Sequence, residues 1–450
     1  MHKGWTGTTV LVAVTAVVLG SAPPGAQAAP SAWRGTISLV SAARDGGPAD
    51  SYSTPGSGVS AHGRYVVFAS AATDLVAGDT NDQTDVFVRD TVARRTVLVS
   101  QGTGGVPSDA ESRPGNISAD GRYVVFESAA ASFLPGNESH QWNVFVRDLR
   151  RGRTTLVSVA AGGGLADRGA LRPDISADGR YVAFDSASTN LIPGDTNDTS
   201  DVFVRDLATA RTERVSLTPE GEQSQSFSSE ASVSAHGEVV AFASDQALVP
   251  GPPLPVFTSS LAYARDRRRG TTVVLSRDVP VDPRSFIATS AEPSVSDNGR
   301  FVVFEHSGSL GVGVDPVPNV WLRDLRTGRL EIVSADYRGR PNTTIGAYAN
   351  ADVSADGRFV AFTTATPVFR SDEDTLVDTY VRDRRTGVVT WITRGQRRLY
   401  PDTGNGSQTA AISADGRHVS FGSDVDPQPG GPPLGQEGYR VFVWDAVPPR

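Results

Sequence analysis

Ser176-Ala-Asp-Gly-Arg180, continued by Tyr181-Val-Ala-Phe-Asp-Ser186 and later by Asp201-Val-Phe-Val-Arg-Asp206, is the passage on which the fold turns. Asp178-Gly179 is a two-residue hairpin signal, because both central positions of a type I′ turn take positive φ. The run after it has apolar residues on both alternating faces, Tyr181 and Ala183 against Val182 and Phe184. A sheet solvated on one side would alternate with polar residues, so this strand is expected to be covered on both. Working outward, Arg172–Ser176 reads as a strand A and Arg180–Ser186 as strand B. After a polar loop, Asp201–Asp206 reads as strand C and Thr212–Ser216 as strand D.

The anchor serine recurs at Ser60, Ser118, Ser176, Ser234, Ser296, Ser354 and Ser413, with spacings of 58, 58, 58, 62, 58 and 59 residues. A near-constant period carrying four short strands predicts an all-β fold, a seven-bladed β-propeller with four antiparallel strands per blade. The last copy supplies strands A to C, ending in Arg440-Val-Phe-Val-Trp-Asp445. Thr36-Ile-Ser-Leu-Val-Ser41 reads as a strand D with no A to C before it. The N-terminal strand is therefore expected to close the ring as the outer strand of blade seven, which removes the edges of an open array.

Residues 1–28 read as a secretory signal: Lys3, an apolar run from Thr9 to Leu19 too short to span a bilayer, and Ala26-Gln27-Ala28 as a cleavage site. The regular period makes 29–450 one propeller domain. Cysteine is absent, so neither a disulfide nor a lipidated cysteine enters the reading. A net charge of −8 argues against a nucleic-acid partner. The expectation is a secreted or cell-envelope monomer with no membrane span after signal removal.

The repeat, Ser-x-Asp-Gly-Arg-Tyr-Val-x-Phe, then Asp-Val-Phe-Val-Arg-Asp, then a strand ending in Val-Ser, resembles the TolB-like propeller repeat, related in architecture to WD repeats. The resemblance runs over residues 35 to 445. His62 and His236 replace the turn aspartate, as does Asn298, and Glu238 replaces the arginine. It implies a secreted or periplasmic scaffold that binds proteins or other ligands, and it implies no catalytic residues.

Antiparallel pairing puts the A–B and C–D turns at one end of the ring and the B–C loops and D–A connections at the other. The C–D turns are rich in arginine, among them Arg94, Arg95, Arg150, Arg151 and Arg267 to Arg269; the B–C loops are rich in aspartate. Three B–C loops share a spacing of oxygen side chains: Asp79, Asn81 and Asp85; Asp195, Asn197 and Asp201; Asp372, Asp374 and Asp378. They are candidate calcium loops, since hard cations need six to eight oxygens; the competing reading is Asx turns ahead of strand C. The D–A connections carry Tyr52, Phe227, Phe286, Tyr337, Tyr348 and Tyr400, and Tyr337, Tyr348 and Tyr400 are the candidate ligand-binding residues, as rigid anchors for a protein or sugar. No metalloprotease helix, phosphate loop or serine elbow occurs. The sequence thus points to a non-enzymatic scaffold that binds a protein or envelope polymer through its loop-rich face. The alternative is an extracellular glycosidase or lyase with carboxylates at the channel mouth.

Overall fold

The structure is a computed structural model describing residues 33–447 apart from 133, 135–137, 139, 252–259, 280–287, 309–316, 342–349, 366, 373–375, 395–406 and 425–438. The signal segment thus lies outside the described residues, as do Phe286, Tyr348, Asp374 and Tyr400. Every strand among the described residues belongs to one of seven four-stranded antiparallel sheets, and no helix occurs among them. Six blades use consecutive strands. In blade three these are Ala170–Ile175, Tyr181–Ser186, Asp201–Asp206 and Arg211–Arg214, within two residues of the expected bounds.

Blade seven is built from Ser407–Ile412, His418–Ser423 and Arg440–Val447, with Arg34–Leu39 as its outer strand. The register pairs Thr36 with Asp445 and Leu39 with Phe442. This is the closure expected from the strand count. It also differs chemically from the other outer pairings. Elsewhere strand C carries an arginine next to its last aspartate, and Arg89, Arg147, Arg205 and Arg265 each donate to a strand D threonine (Thr96, Thr154, Thr212 and Thr272) at 2.9–3.0 Å. In blade seven Trp444 stands at the arginine position and Ile37 faces it. Gly35 makes room: a Cβ there would overlap the Trp444 indole.

The blades hold together through the residues that recur. Val182, Ala183, Phe184, Val202 and Phe203 are fully buried. Within a blade the strand B phenylalanine stacks on the strand C aromatic, as in Phe68–Phe87, Phe126–Phe145 and Phe184–Phe203, with centroids 5.5–5.9 Å apart. Each apolar cluster joins one blade to the next, as where Val125, Val144 and Val146 meet Ile175, Val182 and Phe184.

The A–B hairpin is not the type I′ turn expected. Gly179 has φ of +72° but Asp178 is not left-handed. The turn spans four residues: the Gly179 amide donates to the Ser176 carbonyl at 2.8 Å, and Asp178 Oδ1 accepts from the Arg180 amide and the Ser176 hydroxyl. Asp178 caps the turn through its side chain and needs no positive φ to do so. The glycine has a second reason. A Cβ on Gly179 would lie 2.6 Å from the Tyr123 ring of the preceding blade, so the residue that starts strand B, a ring in every blade but the fourth, where it is Val239, is seated on the next blade's turn.

The axis is closed by a chain of polar bonds among the strand A residues two before the anchor serine. Asp174 accepts from Asn116 of blade two at 2.9 Å and from the Val233 amide of blade four at 2.8 Å. Asp352 accepts from Ser294 of blade five and from the Ile412 amide of blade seven. Burial pushes both carboxyls up to about 6 despite these bonds. Both still line the channel, so the water there softens the penalty of a dry site. A raised carboxyl is better protonated folded than unfolded. Its stabilising contribution is therefore full below the ordinary carboxylate range and is lost as pH rises through about 6, at about 3 kcal/mol per group before softening. Denaturation midpoints of the Asp174→Asn/Asp352→Asn protein should accordingly fall less steeply between pH 4 and 7 than those of the native chain. Equal slopes would show that the two carboxyls titrate normally.

Candidate functional site

The channel opens at the loop-rich end into a funnel of about 610 Å³. Its wall is made by the first halves of the strand A segments, and these are irregular. Register shifts fall between Leu171 and Asp174, Ser229 and Ser232, Ala291 and Ser294, and Gln408 and Ala410. At each, the residue four before the anchor serine is left-handed: Arg172 (φ +49°), Glu230 (+59°), Glu292 (+48°) and Thr409 (+44°). A side chain in that region costs about 1–2 kcal/mol. The β-bulge bends the innermost strand away from its ladder and re-aims one side chain per blade, here into the funnel.

Carboxylates of adjacent blades receive the amides that the bulges release. Glu127 on strand B of blade two accepts from the Arg172 amide at 2.5 Å, and Glu230 accepts from the Glu292 amide at 2.8 Å. Arg172 Nη1 reaches Asp185 at 2.9 Å. Arg113 pairs with Glu111 at 2.9 Å and lies over the Trp142 ring at 4.4 Å. Glu292 accepts a bond from Asn350. Tyr52 lines the rim, its hydroxyl 2.9 Å from Thr84 Oγ1. Burial lifts Asp185 to about 7, with Arg172 opposing and Glu127 adding to the rise. Burial, then the neighbouring Glu230 charge, lifts Glu292 to about 7; burial, then Glu292, lifts Glu305 to about 8. Water reaches Glu292 from the funnel and tempers its shift. Asp174 and Asp352 lie deeper in the same channel. The mouth is thus a carboxylate-rich funnel in which both arginines are already paired.

Of these mouth residues only Tyr52 was named from the sequence, among the aromatics of the D–A connections. For Arg172, Glu230 and Glu292 the only signal was a position four before the anchor serine, and for Glu127 and Asp185 one before the end of strand B. No glycine marked the left-handed positions. Of the aromatics chosen instead, Tyr337 is exposed, with Arg338 over its ring at 5.1 Å.

The candidate calcium loops brace strand C. Asn81 donates from Nδ2 to Asp85 at 2.7 Å and to the Ser108 carbonyl at 2.9 Å, and Ser100 donates to the other Asp85 oxygen. Asn197, Asp201 and Ser216 repeat this arrangement, with Arg214 Nη1 3.4 Å from Asp201. Gln223 donates to Asp195. Thr393 donates to Asp378 and Tyr380 to Asp372, while Asp79 is buried. Among the described residues no group of three or more acidic or histidine ligands gathers. A cation would have to displace the amide and hydroxyl donors that Asp85 and Asp201 now face. Chelator and millimolar calcium are therefore expected to leave the melting temperature unchanged. A calcium-dependent rise that Asp85→Asn/Asp201→Asn removes would establish the site.

At the opposite end five arginines have carboxylate partners. Arg64, Arg122, Arg180, Arg300 and Arg358, each opening strand B, pair with Asp90, Asp148, Asp206, Asp324 and Asp383 at 2.6–2.7 Å. Such pairs at a surface stabilise by at most about 1 kcal/mol each; of the C–D turn arginines, Arg267, Arg268 and Arg269 also pair with carboxylates, while Arg94, Arg95 and Arg211 are exposed.

No family model and no curated protein sequence matches the chain. Solved structures do. The β-propeller domain of the Trilobed protease from Pyrococcus furiosus is 13% identical over 89% of this chain and 98% of that one, with a TM-score of 0.50. TolB from Acinetobacter baumannii is 13% identical over 85% and 80%, with a TM-score of 0.39. An acylaminoacyl peptidase from Pyrococcus horikoshii is 12% identical over 89% of this chain and 52% of its own, with a TM-score of 0.47. At these identities the first likeness speaks for the fold alone: the chain is a seven-bladed β-propeller.

Proposed function

We propose that this chain is a secreted binding scaffold that receives a protein or cell-envelope polymer at its loop-rich end, with the channel mouth at the centre of the contact and Tyr337, Tyr348 and Tyr400 as flanking anchors. One observation carries the reading. Four blades spend a left-handed residue to aim a side chain into one funnel, and strain of this kind is kept where function needs the geometry. The resemblance to TolB-like repeats and the leader-like residues 1–28 support an extracytoplasmic setting. Among the described residues no helix is long and apolar enough to cross a membrane. The test is a photo-crosslinking amino acid at Tyr52, on the mouth, or at Val92, exposed in a turn at the other end. Culture fluid and cell-wall extract should yield an adduct from position 52 and none from 92. Adducts from 92 alone would assign binding to the arginine-rich end.

A second reading, an extracellular glycosidase or lyase, is favoured by one observation. Glu292, whose carboxyl is raised by burial and by the Glu230 charge, stands beside Glu230 in the funnel wall, and a pair of neighbouring carboxyls suits acid–base work on a glycosidic bond. Reducing ends released from an envelope polysaccharide by the native chain but not by Glu292→Gln would favour it; no release across a panel would leave the scaffold.

A further inference from the structure

The arginine of strand C is closed off in blades two, four and five and open in blade one. Arg147 donates to the Gln101 and Gly102 carbonyls of the preceding blade as well as to Thr154. Arg265 reaches the Thr218 carbonyl, and Arg323 reaches the Leu275 carbonyl and Asp278. The strand D threonines close the same seams, since Thr154 and Thr272 donate their hydroxyl hydrogens to the Gln101 and Leu217 carbonyls. Blade one follows the closing strand, and there no such clasp forms among the described residues. Arg89 donates to Thr96 alone. Thr96 is 9% exposed, and among the described residues its hydroxyl has no acceptor for its own hydrogen.

Both groups face a pocket of about 480 Å³. It lies between Ala43 and Arg44, which follow the closing strand, and the outer strand of blade one, Arg95–Leu98. Arg44, Arg94 and Arg95, all exposed, line it with Arg89. Among the described residues no carboxylate lines it, and none of the four arginines is in an ion pair; Asp90, next to Arg89 in the chain, is held by Arg64 at 2.7 Å. Burial, then the Arg94 charge, lowers the proton affinity of Arg89, with Asp90 opposing. Arg205 of blade three also has only its threonine, but burial alone acts on it and no second guanidinium does. Like charges held together and partly dried are unfavourable, and an anion that joins them relieves both penalties.

The donors select among anions. Four guanidiniums and a hydroxyl offer more N–H and O–H groups than the two oxygens of a carboxylate can accept. A phosphate monoester carries nearly two charges and three free oxygens, and a guanidinium fork can meet two of those oxygens at once. We propose that the pocket between the closing segment and blade one binds a terminal phosphate group, with Arg89 and the Thr96 hydroxyl at its base and Arg44, Arg94 and Arg95 at its rim. This site is separate from the channel mouth and does not depend on the reading of the mouth.

The test is calorimetric titration of inorganic phosphate into the full chain at pH 8 and fixed ionic strength, with acetate as the planar, singly charged control. Phosphate should bind saturably at one site, and acetate at least tenfold more weakly. Arg94→Gln/Arg95→Gln, at exposed positions, should lose at least tenfold. Arg153→Gln/Arg211→Gln, which removes the same charge from the corresponding strand D starts of blades two and three, should change nothing. Thr96→Val should lose threefold or more and Thr96→Ser nothing, since the hydroxyl is the part required. Equal binding by the native chain and Arg94→Gln/Arg95→Gln would overturn the proposal, as would the absence of saturable heat with phosphate. An equal loss in Arg153→Gln/Arg211→Gln would reduce the effect to general attraction to arginines and overturn it too. Two further arms separate the sources of the phosphate. Competition by glycerol 3-phosphate without sedimentation on vesicles containing phosphatidic acid assigns a soluble ester; sedimentation that Arg94→Gln/Arg95→Gln abolishes assigns a lipid headgroup.

Discussion

Removing residues 30–42 should lower the melting temperature by about 10 °C, because each kcal/mol is worth about 1 °C in a ring of this size at an unfolding entropy of about 2.1 cal/mol/K per residue. The deletion takes Ile37, Leu39 and buried Val40 off the C-terminal strand. Three aliphatic side chains at about 1.5 kcal/mol each and the backbone ladder at about as much again give about 9 kcal/mol. It also bares an unpaired edge on Arg440–Val447, a template for another chain, so aggregation should accompany the lower midpoint. A gentler variant, Gly35→Val, keeps the strand but drives a side chain into Trp444; it should lose several degrees. Calorimetry of both decides, and unchanged transitions would mean that the closing strand adds nothing to stability.

Gly179→Ala should cost about 4 kcal/mol: about 1–2 from a left-handed alanine and the rest from overlap with the Tyr123 ring. Gly104 supplies the control. Its φ is +85°, and a Cβ there would meet nothing within 4 Å, so Gly104→Ala should cost only the backbone part. Blade five shows how the clash is relieved, since Gly299 sits against Val239, whose nearest atom would be 3.1 Å from an added Cβ. Tyr123→Val should therefore be less harmful in the Gly179→Ala background than in the native one, with a coupling of about 2 kcal/mol in urea denaturation. Additive costs would mean that ring and turn do not compete for the same space.

The architecture was legible because it is written many times over. The Ser-x-Asp-Gly turn, the Phe of strand B and the Val-Phe-Val of strand C recur, and a pattern that recurs can be read even where one copy degrades. Ring closure was legible from an orphan strand D. What could not be read belongs to single positions. Arg172, Glu230 and Glu292 look like ordinary polar residues at a strand start; only the bulge, a product of how seven inner strands crowd the axis, turns them inward. Asp85 and Asp201 read as candidate cation ligands because sequence shows oxygens but not the donors that face them. The structure shows Asn81 and Asn197 presenting their amide hydrogens to those oxygens. The type I′ expectation failed for a similar reason: Asp178 caps with its side chain instead of turning its backbone.

Trp444, Ile37 and Gly35 bear on a problem that any chain of near-copies faces. Strand C of one blade looks much like strand C of the next, so a loose terminal strand has many decoys. Six of the seven present an arginine at the deciding position, among them Arg89, Arg147 and Arg205, and each of these three already has a threonine partner. Ile37 laid beside one of them would leave its guanidinium without that partner in a buried or half-buried place, while only blade seven offers an indole to the notch at Gly35. The molecule thus tells its seventh blade from the other six by one apolar lock, and the circle finds its own last member without a covalent mark.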